Sequence, residues 1–194
     1  MAPRKIVSIL TFLMFISTVS LLAKDAKEVP AYDIHRYNKL IELYPRKASY
    51  WNTLGYYYLK SGELEQAETH LLRALELDAS YAVSHNNLGI VYLKQGQPEQ
   101  AAKEFRQAVR LNPQYCKAQY NLAVALFHQR RYVEAAKAYL QARQIDKNYV
   151  AVRNDGENIE KKIEEALKQT GEDEESAQEL QRMKKWFGPH YTAE

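Results

Sequence analysis

The sequence predicts an all-α protein built as a solenoid of helix pairs. Three observations carry the prediction. "LGYYYLKSG" at residues 54–62 and "LGIVYLKQG" at 88–96 are near copies, and the offset between them (88 − 54 = 34) is a repeat period. Residue size is kept at that period: Leu54, Leu88 and Leu122 align, as do Ala67, Ala101 and Ala135, and Ala74, Ala108 and Ala142. Within a copy the apolar residues recur at i, i+3, i+4 and i+7, the spacing of one helical face. Charge is abundant and mixed in sign, and glycine and proline are few, which suits helices better than strands.

The chain opens with Arg4 and Lys5, followed by an uncharged run from Ile6 to Ala23. Charges return at Lys24 and Asp25, the layout of an export signal. A signal-anchor needs roughly 20 apolar residues to cross the hydrocarbon core. This run has 18, broken by Ser8, Thr11, Ser17, Thr18 and Ser20. Cleavage after Ser20 would put the small Thr18 at the earlier recognition place. Cleavage after Ala23 would put Leu21 there, a poor fit. Residues 1–23 are therefore expected to be a signal peptide or a signal-anchor, with residues 24–30 as a linker. Under both readings the rest of the chain lies outside the cytoplasm. No cysteine directly follows the run, which argues against a bacterial lipoprotein anchor.

Residues 31–47 come next, with Ile34, Tyr37, Leu40 and Ile41 on one helical face. "IELYP" there stands one period before "LELDA" and reads as the end of the second helix of a degenerate leading repeat. Three full copies follow, at 48–81, 82–115 and 116–149. In the first, Trp51, Leu54, Gly55 and Tyr58 form one stripe, and Ala67, Leu71, Ala74 and Leu77 another. Gly62 between them is placed to end a helix in a left-handed turn. The second copy uses Gly96 there, then Pro98 at the first turn of its second helix. Gly55 and Ala67 are small so that two backbones can approach, with Tyr58 and Leu71 filling the space beside them. Residues 150–171 read as a charged capping helix with Ile159, Ile163, Ala166 and Leu167 on a narrow stripe. Residues 172–194 read as a C-terminal helix and tail.

These residues resemble the tetratricopeptide repeat (TPR), whose pattern is W-x2-L-G-x2-Y, then A-x3-F, A and P. The first copy has Trp51, Leu54, Gly55, Tyr58, Ala67, Leu71 and Ala74. The second has Leu88, Gly89, Tyr92, Ala101, Phe105, Ala108 and Pro113, with His85 where tryptophan is usual. The third is looser, with Leu122, Ala123, Leu126, Ala135, Tyr139 and Ala142, and with Gln119 and Lys147 off the pattern. The resemblance implies a right-handed superhelical solenoid whose first helices line a concave groove that holds a partner protein or peptide.

Tyrosines 56, 57 and 58 point to three sides of one helix, since successive residues turn by about 100°. Tyr58 belongs to the packed stripe. Tyr57 faces the neighbouring helices with Tyr50 and Thr53. Tyr56 faces the groove, together with Asn52, Leu59 and Lys60. The same side of the second copy carries Asn86, Ile90, Leu93 and Lys94. In the third it carries Lys117, Tyr120, Asn121, Val124, Phe127 and His128. Asn86, Tyr120 and Asn121 are expected to hold a partner's backbone, and Tyr56, Leu93 and Phe127 its apolar side chains. Some relatives grip a C-terminal carboxylate on this face. Asn87 and Lys117 match two of the five places for that clamp, while Asn52, Tyr56 and Asn121 depart from it.

Other classes find little support. The net charge of +3 and the lack of a basic stripe argue against nucleic acid. No catalytic motif, phosphate loop or metal-ligand spacing appears, so no catalytic residue, cofactor or metal is expected. Cys116 is the only cysteine and reads as a structural thiol. The expected function is an extracytoplasmic protein–protein interaction module in an envelope assembly. The alternative is a membrane-anchored assembly factor, held through residues 6–23, for a translocation, pilus or cytochrome-maturation machine. Homo-oligomerisation through the repeat ends stays open.

Overall fold

The computed structural model describes residues 31–153 and residue 165. The expected signal or anchor segment, most of the capping helix and the C-terminal helix lie outside those residues. Eight helices follow one another: α1 (Ala31–Leu43), α2 (Ala48–Ser61), α3 (Leu64–Leu77), α4 (Ala82–Lys94), α5 (Pro98–Leu111), α6 (Cys116–His128), α7 (Tyr132–Ile145) and α8 (Lys147–Arg153). No strand occurs among the described residues.

Helices α2, α4 and α6 begin at Ala48, Ala82 and Cys116, one period apart, and each packs against its successor as a pair. The second helix of each pair also packs on the first helix of the next, so the pairs stack into one array. Helix α1 sits against α2 as a second helix would. Helix α8 begins at Lys147, inside the span expected for the third repeat, and buries Val150 against it.

The turn inside each pair is the same backbone device made with different residues. At Gly62 φ is 87°, and the Glu63 N–H donates to the Tyr58 carbonyl at 2.9 Å. At Gly96 φ is 75°, and the Gln97 N–H donates to the Tyr92 carbonyl at 2.8 Å. The third turn places Arg130 at φ 62°, and the Arg131 N–H donates to the Leu126 carbonyl at 3.0 Å. This six-to-one bond satisfies a carbonyl at the end of each first helix.

Close approach explains the other glycines. A methyl group on Gly55 would stand 2.7 Å from Leu71 Cγ, and one on Gly89 would stand 2.5 Å from Phe105 Cε1. Leu54, Leu71, Leu88, Val91 and Phe105 are fully buried between the helices. Trp51 and Tyr58 are only half-buried, against the expectation of core positions. Both rings lie against His70 on α3. Tyr58 stacks on it at 5.1 Å and Trp51 lies at 5.6 Å. Burial there pushes the His70 pKa below its ordinary value.

The three tyrosines do divide among three sides. Tyr57 turns to α1 and meets Tyr37 at 5.5 Å. Tyr50 adds to that joint, lying 6.1 Å from Tyr37 and 6.0 Å from Tyr44. Tyr56 is 42% exposed, so it remains accessible from outside.

Candidate partner-binding surface

Successive first helices, α2 with α4 and α4 with α6, make closer contact than successive second helices do. A stack that is tighter along one row curves toward that row. The first helices therefore form the inner wall, and the residues expected on the groove can be placed one by one.

Tyr56, Lys60, Lys94, Lys117 and His128 are exposed. Ile90, Leu93, Val124 and Phe127 are half-buried, each resting on the core with part of its surface open. Asn121 is half-buried too. The remaining four belong to the interior. Asn52 is 6% exposed, Leu59 5%, Asn86 3% and Tyr120 7%. The expectation that Asn86 and Tyr120 offer themselves to a partner backbone needs correction on that account, and Asn121, though half-buried, spends its amide on Asn86.

The amides are engaged with one another. Asn87 Nδ2 donates to Asn52 Oδ1 at 3.0 Å, and Asn121 Nδ2 donates to Asn86 Oδ1 at 2.9 Å. Ser84 Oγ adds a second bond to Asn52 Oδ1 at 3.1 Å. Each bond joins one first helix to the next, so the asparagines form a ladder that fixes the inner spacing of the repeats. A buried amide costs free energy unless paired, and this pairing meets that requirement. Tyr120 fills the corresponding place at the end of the ladder, with its ring 6.1 Å from that of Tyr149. The sequence signal for the ladder is an asparagine pair offset by the period plus one: Asn52 with Asn87, and Asn86 with Asn121.

His85 also proves to be on the pattern in a chemical sense. Trp51 Nε1 donates to the carbonyl six residues earlier, that of Pro45, at 2.9 Å. His85 stands at the equivalent place and Nε2 donates to the carbonyl of Ala79, again six residues earlier, at 3.1 Å. Its Nδ1 lies 2.7 Å from Glu104 Oε2, and that carboxylate raises the His85 pKa. With an acceptor at each ring nitrogen, the imidazolium is the form that satisfies both.

Burial also shifts Tyr92 and Cys116 toward their protonated forms. Burial, then the carboxylate of Glu68, push the Tyr92 phenol up to about 12, so it stays protonated. Burial raises the Cys116 thiol, whose Sγ donates to the Ala142 carbonyl at 3.3 Å, and a protonated thiol is a poor nucleophile. Among the described residues no group of three histidine, cysteine or acidic side chains is placed to hold a metal. No helix among them is long and apolar enough to cross a membrane.

Two family profiles, each described as tetratricopeptide repeat, match residues 46–114 and 86–149. The chain belongs to the tetratricopeptide repeat family. Among solved structures, this TPR chain is similar to the first TPR domain of Spaghetti (RPAP3) bound to the HSP90 peptide SRMEEVD. The likeness has a TM-score of 0.52 at 21% identity and covers 72% of this chain and 92% of that one. It concerns the fold. Comparison with curated proteins gives no match.

Proposed function

We propose that this TPR protein is an extracytoplasmic interaction module that holds a segment of a partner protein along the inner wall formed by α2, α4 and α6. One observation carries the reading. Tyr56, Ile90, Leu93, Val124 and Phe127 keep apolar surface open along three successive rigid helices, while the polar side chains behind them are bonded internally. Rigid apolar anchors of this kind supply binding energy at little ordering cost. The peptide bound to the similar TPR domain supports a partner of that type.

A clamp for a C-terminal carboxylate is disfavoured. Of the two matching places, Asn87 has its amide committed to Asn52, and only Lys117 is exposed. Export remains part of the proposal on the strength of Arg4, Lys5 and the apolar run that follows. Fusing residues 1–30 to a reporter active only outside the cytoplasm tests it, and a stable but silent fusion counts against it.

The groove is tested by paired measurements on Tyr56→Ala and Phe127→Ala. Each is expected to weaken partner binding by about 1–3 kcal/mol. Tyr56→Ala should melt close to the parent, and Phe127→Ala, whose ring also rests on the core, should lose less in stability than in binding. Variants that melt early yet bind normally when folded would assign these side chains to the core.

A further inference from the structure

The charge on the inner wall is one-sided. Helices α2, α4 and α6 carry Lys60, Lys94 and Lys117 and not one aspartate or glutamate. The acidic residues lie on the second helices, as Glu65, Glu68 and Glu76 on α3, Glu99 and Glu104 on α5, and Glu134 on α7. Several of those acids are already matched, in the pairs Arg73–Glu76, His85–Glu104, Arg106–Glu134 and Arg131–Glu134, and of their basic partners only His85 belongs to a first helix. Lys60, Lys94 and Lys117 are exposed and enter no ion pair among the described residues.

The basic side chains also have a spacing. Lys60, Lys94 and His128 occupy the same place on successive first helices, one period apart and all exposed. Helices in contact stand about 8–10 Å apart, which sets the distance between rungs. An extended chain in the polyproline II conformation rises about 3.1 Å per residue with three residues per turn, so every third side chain returns to one side after about 9 Å. The two repeats are commensurate. Its other side chains turn toward Tyr56, Ile90 and Val124, which form the parallel row one helical turn back.

From this match we infer that the partner segment is extended and acidic, with carboxylates three residues apart facing Lys60 and Lys94 and apolar side chains between them. The inference rests on the groove reading above and narrows it to one ligand chemistry. Carboxylates add an attraction that an acid-free wall leaves uncompensated within the protein, and they exclude basic segments by repulsion.

The test uses the full chain in mild detergent and four fluorescent ten-residue peptides of matched apolar content. One carries glutamates at every third position, one the same glutamates in a block, one glutamines at every third position, and one lysines there. The spaced glutamate peptide should bind at least tenfold tighter than the block and glutamine peptides, with affinity falling as salt rises. Lys94→Glu should lose that advantage, and Lys60→Glu with Lys94→Glu should shift preference to the spaced lysine peptide. Equal affinity for the spaced glutamate and glutamine peptides overturns the inference. If Tyr56→Ala weakens every peptide while Lys94→Glu weakens none, the charge pattern falls and the groove stands. If neither substitution changes any affinity, both fall.

Discussion

In the first repeat, α2 and α3 approach through Gly55 and turn through Gly62 at φ 87°. In the third, the same two places hold Ala123 and Arg130, the latter at φ 62°. The third pair buries Ala123 fully, so it accommodates a methyl group where the first two pairs leave no room. The anchoring of the first helix differs as well. Trp51 and His85 bond the preceding turn, whereas Gln119 bonds the side chain of Gln141 on α7. One backbone is thus reached by two chemistries. The turn and the stacking are what the fold demands, and the side chains that meet those demands can change.

The sharpest way to break the comparison is to add volume where the first two repeats are tight. Gly89→Leu puts a branched side chain against the Phe105 ring, where even a methyl carbon would stand 2.5 Å from Cε1. Overpacking of this kind costs about 1–3 kcal/mol, and the upper end is expected here because a ring cannot retreat. Thermal melting followed by circular dichroism measures it. Ala123→Gly, the reverse change in the third repeat, should cost only about 1 kcal/mol through backbone entropy. Equal losses at the two sites would mean that the pairs are spaced alike.

The inner ladder yields the next effect. Asn86→Ala deletes an amide that is 3% exposed and leaves the half-buried Asn121 Nδ2 without its acceptor. A fully buried donor left unpaired costs about 1–3 kcal/mol, and the partial exposure of Asn121 puts this loss toward the lower end. The loss should appear as an earlier melt. Affinity for a groove partner should follow only as far as the rungs shift. A variant that melts with the parent but binds poorly would return Asn86 to the partner's side of the wall.

These two cases show where the sequence is legible. Period, pairing and the tight glycines are one-dimensional features, because each depends on residue size at a fixed spacing. The inner wall is not. A helical wheel places Asn52, Asn86 and Tyr120 on the open side of their own helix. Whether the next helix covers that side depends on how steeply the stack curves, which no single helix encodes. His85 is illegible for a different reason. Its role resides in one N–H at the right reach, which indole and imidazole share despite their different size. Arg130 is illegible because nothing in its side chain announces a left-handed backbone.

Arg130 offers a gain rather than a loss. A left-handed residue with a side chain costs about 1–2 kcal/mol. Glycine removes that strain but adds about 0.5–1 kcal/mol of chain entropy to be lost on folding. Arg130→Gly should therefore stabilise the third repeat by about 0.5–1 kcal/mol, and Gly62→Ala should destabilise the first by a similar amount. A chemical denaturation series resolves both. Arg130→Gly that is neutral or harmful would show that the arginine side chain contributes something the turn geometry does not reveal.

The smallest effects lie in pH, and they set His70 against His85. His70 sits between Trp51 and Tyr58, and burial holds its pKa below the ordinary value of 6.5. The unfolded chain then binds more protons than the folded one as pH falls below 6.5, so this histidine lowers stability on the acid side. His85 lies between Glu104 and the Ala79 carbonyl, and the carboxylate bond raises its pKa above 6.5. Its contribution is complete below 6.5 and is lost as pH rises through the folded value. The two slopes have opposite sign and meet near neutrality, which places their joint optimum close to pH 6.5. Charged groups facing His85 are Glu104 and, opposing it, Arg110. His85→Trp copies the first repeat at this site, keeping an N–H for the Ala79 carbonyl and removing the titration. The variant should lose the decline of stability above pH 6.5 relative to the parent, while His70→Leu should lose the decline below it. Melting temperatures from mildly acidic to mildly alkaline pH, for the parent and both variants, measure each arm separately. If His85→Trp leaves the alkaline arm unchanged, the Glu104 pair does not hold the proton, and the likeness between His85 and Trp51 ends at the shared carbonyl bond.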